Sequence, residues 1–216
     1  MGRAKYSEGE RARMITNFLQ ATRDIINREG VDGVSIRKVA GLAGFNSATI
    51  YLYFKDADEL ITMASMGYLE EYCRVVAELP EDTSSPMDIY VHTWQTFCRY
   101  AFRQPQVYYR LFYHPHSHPL DETVEQYYQL FPELLKNTSG TIRQMLHAGS
   151  LSRRNMQVLN PLAQSGLIPE NKVDLVNDLT LCYFRKLLEE QMENNTPEMA
   201  ARHTKALTDC LYYLAQ

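Results

Sequence analysis

The sequence predicts an all-α protein. Apolar residues recur at helical spacing along most of its length, and capping residues, glycines and prolines mark where each periodic stretch starts and stops. At 216 residues and 45% hydrophobic, the chain can bury a stable core as one large domain or two small ones. No uninterrupted apolar run of about 18 residues occurs, so no membrane span is predicted.

The first predicted helix runs from Arg11 to Glu29, with Ile15, Phe18, Leu19, Thr22, Ile25 and Ile26 on one face and Gly30 as its stop. Before it, Gly2-Arg3-Ala4-Lys5 reads either as a disordered terminus or as an arm whose Arg3 and Lys5 reach a minor groove. Ser35 is a good N-cap for a second helix whose stripe is Ile36, Val39, Ala40 and Ala43. Gly44 suits the left-handed position after that helix, and Asn46 caps a third helix carrying Ile50 and Phe54 on one face. Ala40 is small enough for close helix approach, and Ile50 pins the third helix to the second. Two short helices around a glycine turn form a helix-turn-helix, whose second helix can enter the major groove of DNA. Asn46, Ser47, Ala48, Thr49, Tyr51, Leu52, Tyr53 and Lys55 remain for its outer face or edges. A helical hairpin inside an ordinary all-α domain is the competing reading of these few residues.

Asp56 caps the next helix with Glu59 three residues on, the pattern of a capping box. Its apolar stripe continues to Leu79, which predicts one rod of about 36 Å. Pro80 to Pro86 is the clearest loop. Pro86 starts a helix carrying Ile89, Tyr90, Trp94, Phe97, Cys98 and Ala101, and Pro105 opens the short segment PQVYYRLFYH. Leu120 to Gly149 is helical in pattern, broken near Pro132 and reopened near Thr138-Ser139-Gly140. A helix over Ser152 to Gln164 follows, with Gly166 closing it. Asn171 is expected to cap the next helix, and Thr196 with Pro197 starts the last.

Gly33–Ile61, GVSIRKVAGLAGFNSATIYLYFKDADELI, together with the amphipathic helix before it, resembles the DNA-binding segment of the tetracycline-repressor (TetR) family of bacterial regulators. The resemblance covers the first third of the chain; the rest matches in general character only. It implies an N-terminal three-helix DNA-binding domain over residues 1–55 and a ligand-binding and dimerisation domain over residues 56–216, with 56–79 as the connecting helix. It further implies a cytoplasmic homodimer whose last two helices pair with their copies, a pseudo-palindromic duplex operator and a small-molecule effector, with no cofactor. By matching positions, Thr49, Tyr51 and Lys55 hold phosphates, Ser35 and Arg37 do so from the preceding helix, and Ser47, Ala48 and Leu52 face bases. Much of the family places a polar or bulky aromatic residue where Leu52 stands, so base readout here is expected to be thin.

Charge fits this reading only partly. The net charge is −4; the first 67 residues carry nine Lys/Arg against eight Asp/Glu, and the remainder thirteen against eighteen. Any positive patch must therefore come from geometry, with Arg37, Lys38 and Lys55 sharing a face with the arm. Aromatic residues crowd between Trp94 and Phe131, the region that forms inducer-pocket walls in the family. Trp94, Phe97, Tyr108, Phe112, Tyr127, Tyr128 and Phe131 are the candidate ligand contacts, with ordinary core packing as the alternative. His114, His116 and His118 in HPHSHP could suit a transition metal, although no acid or thiol is fixed beside them by a regular element and prolines set the geometry; a solvent-exposed loop is the expected reading. His92, His147 and His203 are read as packing residues. The four cysteines lack CxxC spacing and read as reduced, buried or partly buried thiols. Neither a nucleophile elbow, nor a phosphate-cradling glycine loop, nor HExxH occurs, so enzymatic chemistry is not expected. Control by a protein partner, or by metal at HPHSHP, stays open as an alternative.

Overall fold

The computed structural model describes residues 8–79, 85–136, 138 and 140–215. Arg3 and Lys5, with the expected arm, lie outside the described residues, as do most of the Pro80–Pro86 loop and Ser139. Among the described residues there are twelve α-helices, four short 3-10 turns and no strand.

The head comprises α1 (Glu8–Glu29), α2 (Ile36–Ala43) and α3 (Ser47–Ile50). The expected α1 stripe is buried as a set, with Phe18 and Leu19 at zero exposure; it covers the back of α2, and Phe18 meets Phe45, Tyr53 and Phe54 on either side of α3. The helix is already formed at Glu8, the first described residue, ahead of the expected Arg11.

The connecting segment departs from the expected single rod. It consists of α4 (Ala57–Met66), a 3-10 turn at Gly67–Leu69 and α5 (Glu70–Ala77). Glycine is the weakest ordinary helix former at such a point. Gly67 also lets α1 approach closely, since a Cβ there would collide with the Arg23 guanidinium. Asp56 caps α4 by accepting from Glu59 N–H, while the Glu59 carboxylate reaches back to Lys55 N–H instead of its own cap residue.

The remaining bundle holds α6 (Pro86–Ala101), α7 (Pro105–Tyr113), α8 (Leu120–Leu130), α9 (Gly140–His147), α10 (Leu151–Gln164), α11 (Val173–Glu193) and α12 (Pro197–Leu214). Buried α6 is its centre, packed against α5, α10 and α12. The predicted break at Pro132 is a 3-10 turn, Pro132–Leu135, between α8 and α9. Asn171 is not the α11 cap. A 3-10 turn, Glu170–Lys172, starts from Pro169 and feeds straight into the helix, which has no side-chain cap. Thr196 caps α12 with Pro197 in the first turn, as expected.

One apolar core runs from Ile15 in the head to Leu211 in α12, crossing the connecting segment without a gap. Cys73 and Cys98 are buried thiols and Cys210 is partly buried, but Cys182 is exposed on α11, unlike the reading from sequence. No helix among the described residues is long and apolar enough to cross a membrane.

Candidate functional site

The head presents a turn built locally. Ser35 Oγ accepts from Lys38 N–H at 3.3 Å to start α2. Gly44 ends α2 with φ 79° and ψ 28°, a conformation that disfavours any residue with a Cβ. Phe45 N–H then closes back onto the Ala40 carbonyl at 2.8 Å, the six-to-one bond of a Schellman motif. Asn46 Oδ1 accepts from both Thr49 N–H (3.0 Å) and Thr49 Oγ1 (3.1 Å) to start α3. Only four residues of α3 are regular, and turn bonds carry the chain on to Phe54. Ile50 and Phe54 face inward at 0% and 2% exposure.

What stays outside is a compact face. Tyr51 and Leu52 are 57% and 52% exposed, and Ala48, Ser35 and Arg37 are exposed with them. Ser47 and Thr49 are partly covered. Leu42 on α2 is also exposed, in a groove shared with Ser35 and Arg37; it lies off the apolar stripe of that helix. Tyr53 turns back toward α1, its ring 5.8 Å from Phe18 and under the Arg11 guanidinium at 5.4 Å. Lys38 does not share the Arg37 face freely: its ammonium sits 2.5 Å from Glu29 and bonds the Gly33 carbonyl. Lys55 is exposed and only loosely apposed to Glu122 at 3.8 Å, a surface pair that a phosphate could displace at little cost.

Inside the bundle the predicted ligand residues divide. Trp94 and Phe97 border a cavity of about 20 Å³, room for one water molecule. Tyr72, Met145, Leu151 and Val158 complete its wall; Thr93, Arg154 and Asn155 also border it, although the surface open to the cavity is apolar. Tyr108 and Phe112 stand behind Phe97 at ring distances of 5.4 and 5.6 Å. Tyr127, Tyr128 and Phe131 form an adjoining cluster. There Tyr127 donates to Glu70 at 2.5 Å, and the Tyr128 hydroxyl meets Cys73 Sγ at 3.4 Å. The polar members of the cavity were not foreseen, yet a signal existed. Arg154 and Asn155 fall on the same stripe of α10 as Leu151, Val158 and Leu162.

A polar latch joins this bundle to the start of α4. Arg110 of α7 pairs with Asp58 at 2.6 Å, both side chains about four-fifths covered. The HPHSHP loop continues it: Ser117 Oγ donates to Asp56 at 2.9 Å, and His118 Nε2 lies 3.0 Å from the same carboxylate. His116 meets Thr62 Oγ1 through Nδ1 and the Leu111 carbonyl through Nε2, so both of its ring nitrogens are engaged. The loop is therefore not free in solvent, and the acids that meet it, Asp56 and Asp58, come from the start of α4. Among the described residues no cluster of three metal-binding side chains forms. Burial raises the Asp56 carboxyl, but hydrogen bonds from Glu59 N–H, Ser117 and His118 outweigh it and hold its pKa below the ordinary value. Further up α7, Tyr108 donates to the Tyr68 carbonyl at 2.9 Å, in the turn between α4 and α5.

A capped helix-turn-helix on a helical bundle defines the class: a DNA-binding regulator. Residues 18–62 match the family model described as bacterial regulatory proteins, tetR family, so the stretch from within α1 into α4 is a helix-turn-helix segment of the TetR type. Proteins of that family are transcription factors and not enzymes. No curated protein matches the chain. Among solved structures it is similar to RolR in complex with resorcinol, at 12% identity and a TM-score of 0.61, over 97% of this chain and 96% of RolR. It is similar also to Thermus thermophilus FadR, a TetR-family repressor in complex with lauroyl-CoA, at 11% identity and 0.61, over 93% and 94%. At these identities the likeness establishes the all-helical fold.

Proposed function

We propose that the protein is a cytoplasmic, homodimeric repressor that binds a pseudo-palindromic operator and is released by a small molecule with an apolar or aromatic body. The observation that carries this reading is the exposed face of Tyr51 and Leu52 behind the Gly44 turn. Groups of this kind meet phosphates and base edges without first being stripped of partners. Thr49, Tyr51, Lys55, Ser35 and Arg37 hold the backbone, while Ser47, Ala48 and Leu52 face bases; Asn46 and Tyr53 set the shape of the reading segment. Residues up to 55 form the DNA-binding unit, and those from 56 onward the responding domain.

The outward faces of α11 and α12 support the dimer. Leu175 and Leu179, 58% and 44% exposed, continue into exposed Cys182, while Tyr212 and Tyr213 are 46% and 76% exposed. A two-fold pairing there would set two heads on half-sites about 34 Å, or one helical turn, apart. RolR was solved with resorcinol and FadR with lauroyl-CoA; here the apolar and aromatic cavity walls support an effector of similar character. Its arrival beside Phe97 would push Tyr108 and Phe112 on α7, and Arg110 would carry that movement to Asp58 and the head. The effector must bind the DNA-incompetent shape more tightly, since equal affinity shifts nothing.

Duplexes selected from a random pool by the purified protein provide the test. Selected duplexes are expected to bind more tightly than scrambled ones, with affinity falling steeply as salt rises. Lys55→Ala is expected to weaken all sequences alike and to lower the salt slope by about one unit. Equal affinity for selected and scrambled duplexes, or light scattering that shows only monomer at micromolar concentration, would overturn the proposal.

A further inference from the structure

Arg154 is 2% exposed, yet among the described residues no acidic side chain pairs with it. Its Nε donates to the Ala148 carbonyl at 2.7 Å and its Nη2 to the Leu146 carbonyl at 3.2 Å, both at the end of α9. Those carbonyls hold the guanidinium in place and offer the negative end of a helix dipole, but no full charge. Nη1 is buried without a hydrogen-bond partner, and so is Thr93 Oγ1. Both residues border the cavity between Trp94 and Phe97.

A buried cation normally carries a partner, because desolvating an unpaired charge costs several kcal/mol. The surrounding groups do not supply one. Burial raises the pKa of the Tyr72, Tyr108 and Tyr128 phenols and the Cys73 thiol above their ordinary values, so all four are neutral near pH 7. Asn155 is already committed, accepting from Trp94 Nε1 at 2.8 Å and donating to Asn177 at 3.0 Å. The Phe112 ring, 5.6 Å from the guanidinium, offers a π face but no full negative charge. The site is therefore a guanidinium without an anionic partner, whose Nη1 lacks a hydrogen bond, and one hydroxyl in the same state, set in an apolar wall.

We infer that this cavity binds an organic carboxylate with an apolar body, its anionic end held by Arg154 Nη1 and Thr93 Oγ1. A guanidinium is suited to a carboxylate by charge and planar geometry. The aromatic edges of Tyr72, Trp94 and Phe97 receive the body. With room for a single water, the cavity must widen to admit it. Met145, unbranched and adaptable, is the wall residue best able to yield. This inference rests on the interior being the effector chamber, and it supplies the charge of the ligand.

The probes are benzoate, 1-naphthoate and octanoate, each paired with its neutral amide and followed by Trp94 fluorescence and calorimetry on the full chain. At least one acid is expected to bind about 10- to 150-fold more tightly than its amide, the range for a hydrogen bond to a charged group. Arg154→Met is expected to level the pair, and Thr93→Val to weaken the acid more than the amide. If Arg154→Met fails to fold, the comparison on the unaltered protein and Thr93→Val still decides. An amide that binds as well as its acid, or failure of every acid to bind, overturns the inference. The same complexes titrated with selected operator separate the two readings. An acid that binds through Arg154 but leaves operator affinity unchanged supports the carboxylate site and removes the effector role. A neutral probe that occupies the cavity as well as its acid and releases the operator keeps the effector role and overturns the charge assignment.

Discussion

The head and the chamber use aromatic and apolar side chains in opposite ways. In the head, Tyr51 and Leu52 stand more than half exposed on a turn held by backbone bonds and caps. In the chamber, Phe97 is 3% exposed and in ring contact with Tyr72, Trp94, Tyr108, Phe112 and Phe184. A surface that meets DNA can wait in water, because its hydroxyls and ammonium groups are satisfied there. A chamber for an apolar ligand has to be part of the core, so the residues that would sense the ligand also hold the fold. Function and stability should thus separate in the head and stay entangled in the chamber.

The largest test of that contrast is Phe97→Ala. Loss of a ring with five aromatic neighbours is expected to cost about 3–5 kcal/mol of unfolding free energy in urea titrations. A loss below 1 kcal/mol would show that the chamber is looser than its packing implies.

The latch between the two regions comes next. Arg110→Ala and Asp58→Asn are each expected to destabilise the protein, and their double-mutant cycle to give a coupling of about 1–2 kcal/mol. Either variant should also blunt the effect of a chamber ligand on operator affinity. Acid sharpens the point. The Asp56 pKa is lowered in the folded protein, so its contribution is complete above the unfolded value of 3.8 and is lost as pH falls through the lower folded value. Asp56→Asn should flatten that part of the stability profile, and an unchanged acid limb would count against the latch.

Gly44→Ala is expected to cost about 1 kcal/mol, since nothing lies within 4 Å of the added Cβ and only the left-handed backbone is strained. Smallest in stability is Tyr51→Ala, expected within about 0.5 kcal/mol of the parent in thermal unfolding, while operator binding weakens measurably. If that variant unfolds easily, or binds the operator undiminished, the separation drawn for the head is wrong.

The head was almost wholly legible in the sequence. Ser35, Gly44, Asn46 and Asp56 act within three to five residues of themselves, so the caps and turn they form follow from local chemistry. The stripes of α1 and α6 followed from helical periodicity for the same reason. The misreadings came where another element intervened. Gly67 reads as one weak residue in a long helix until Arg23 is seen against it, and Asn171 reads as a cap until Pro169 is seen to start the turn earlier.

What only the tertiary structure decided is which distant groups share a space. The Asp56 and Asp58 carboxylates meet Ser117 and His118 across about sixty residues of chain, and no local pattern ties them together. Aromatic residues between Trp94 and Phe131 look alike in sequence, yet packing puts Trp94 and Phe97 at the cavity and Tyr127, Tyr128 and Phe131 beside it. Arg154 follows an exposed arginine, Arg153, and differs from it only in the face of α10 on which it falls. A helical period says which residues turn inward together; the arrangement of the other helices determines what each of them meets there.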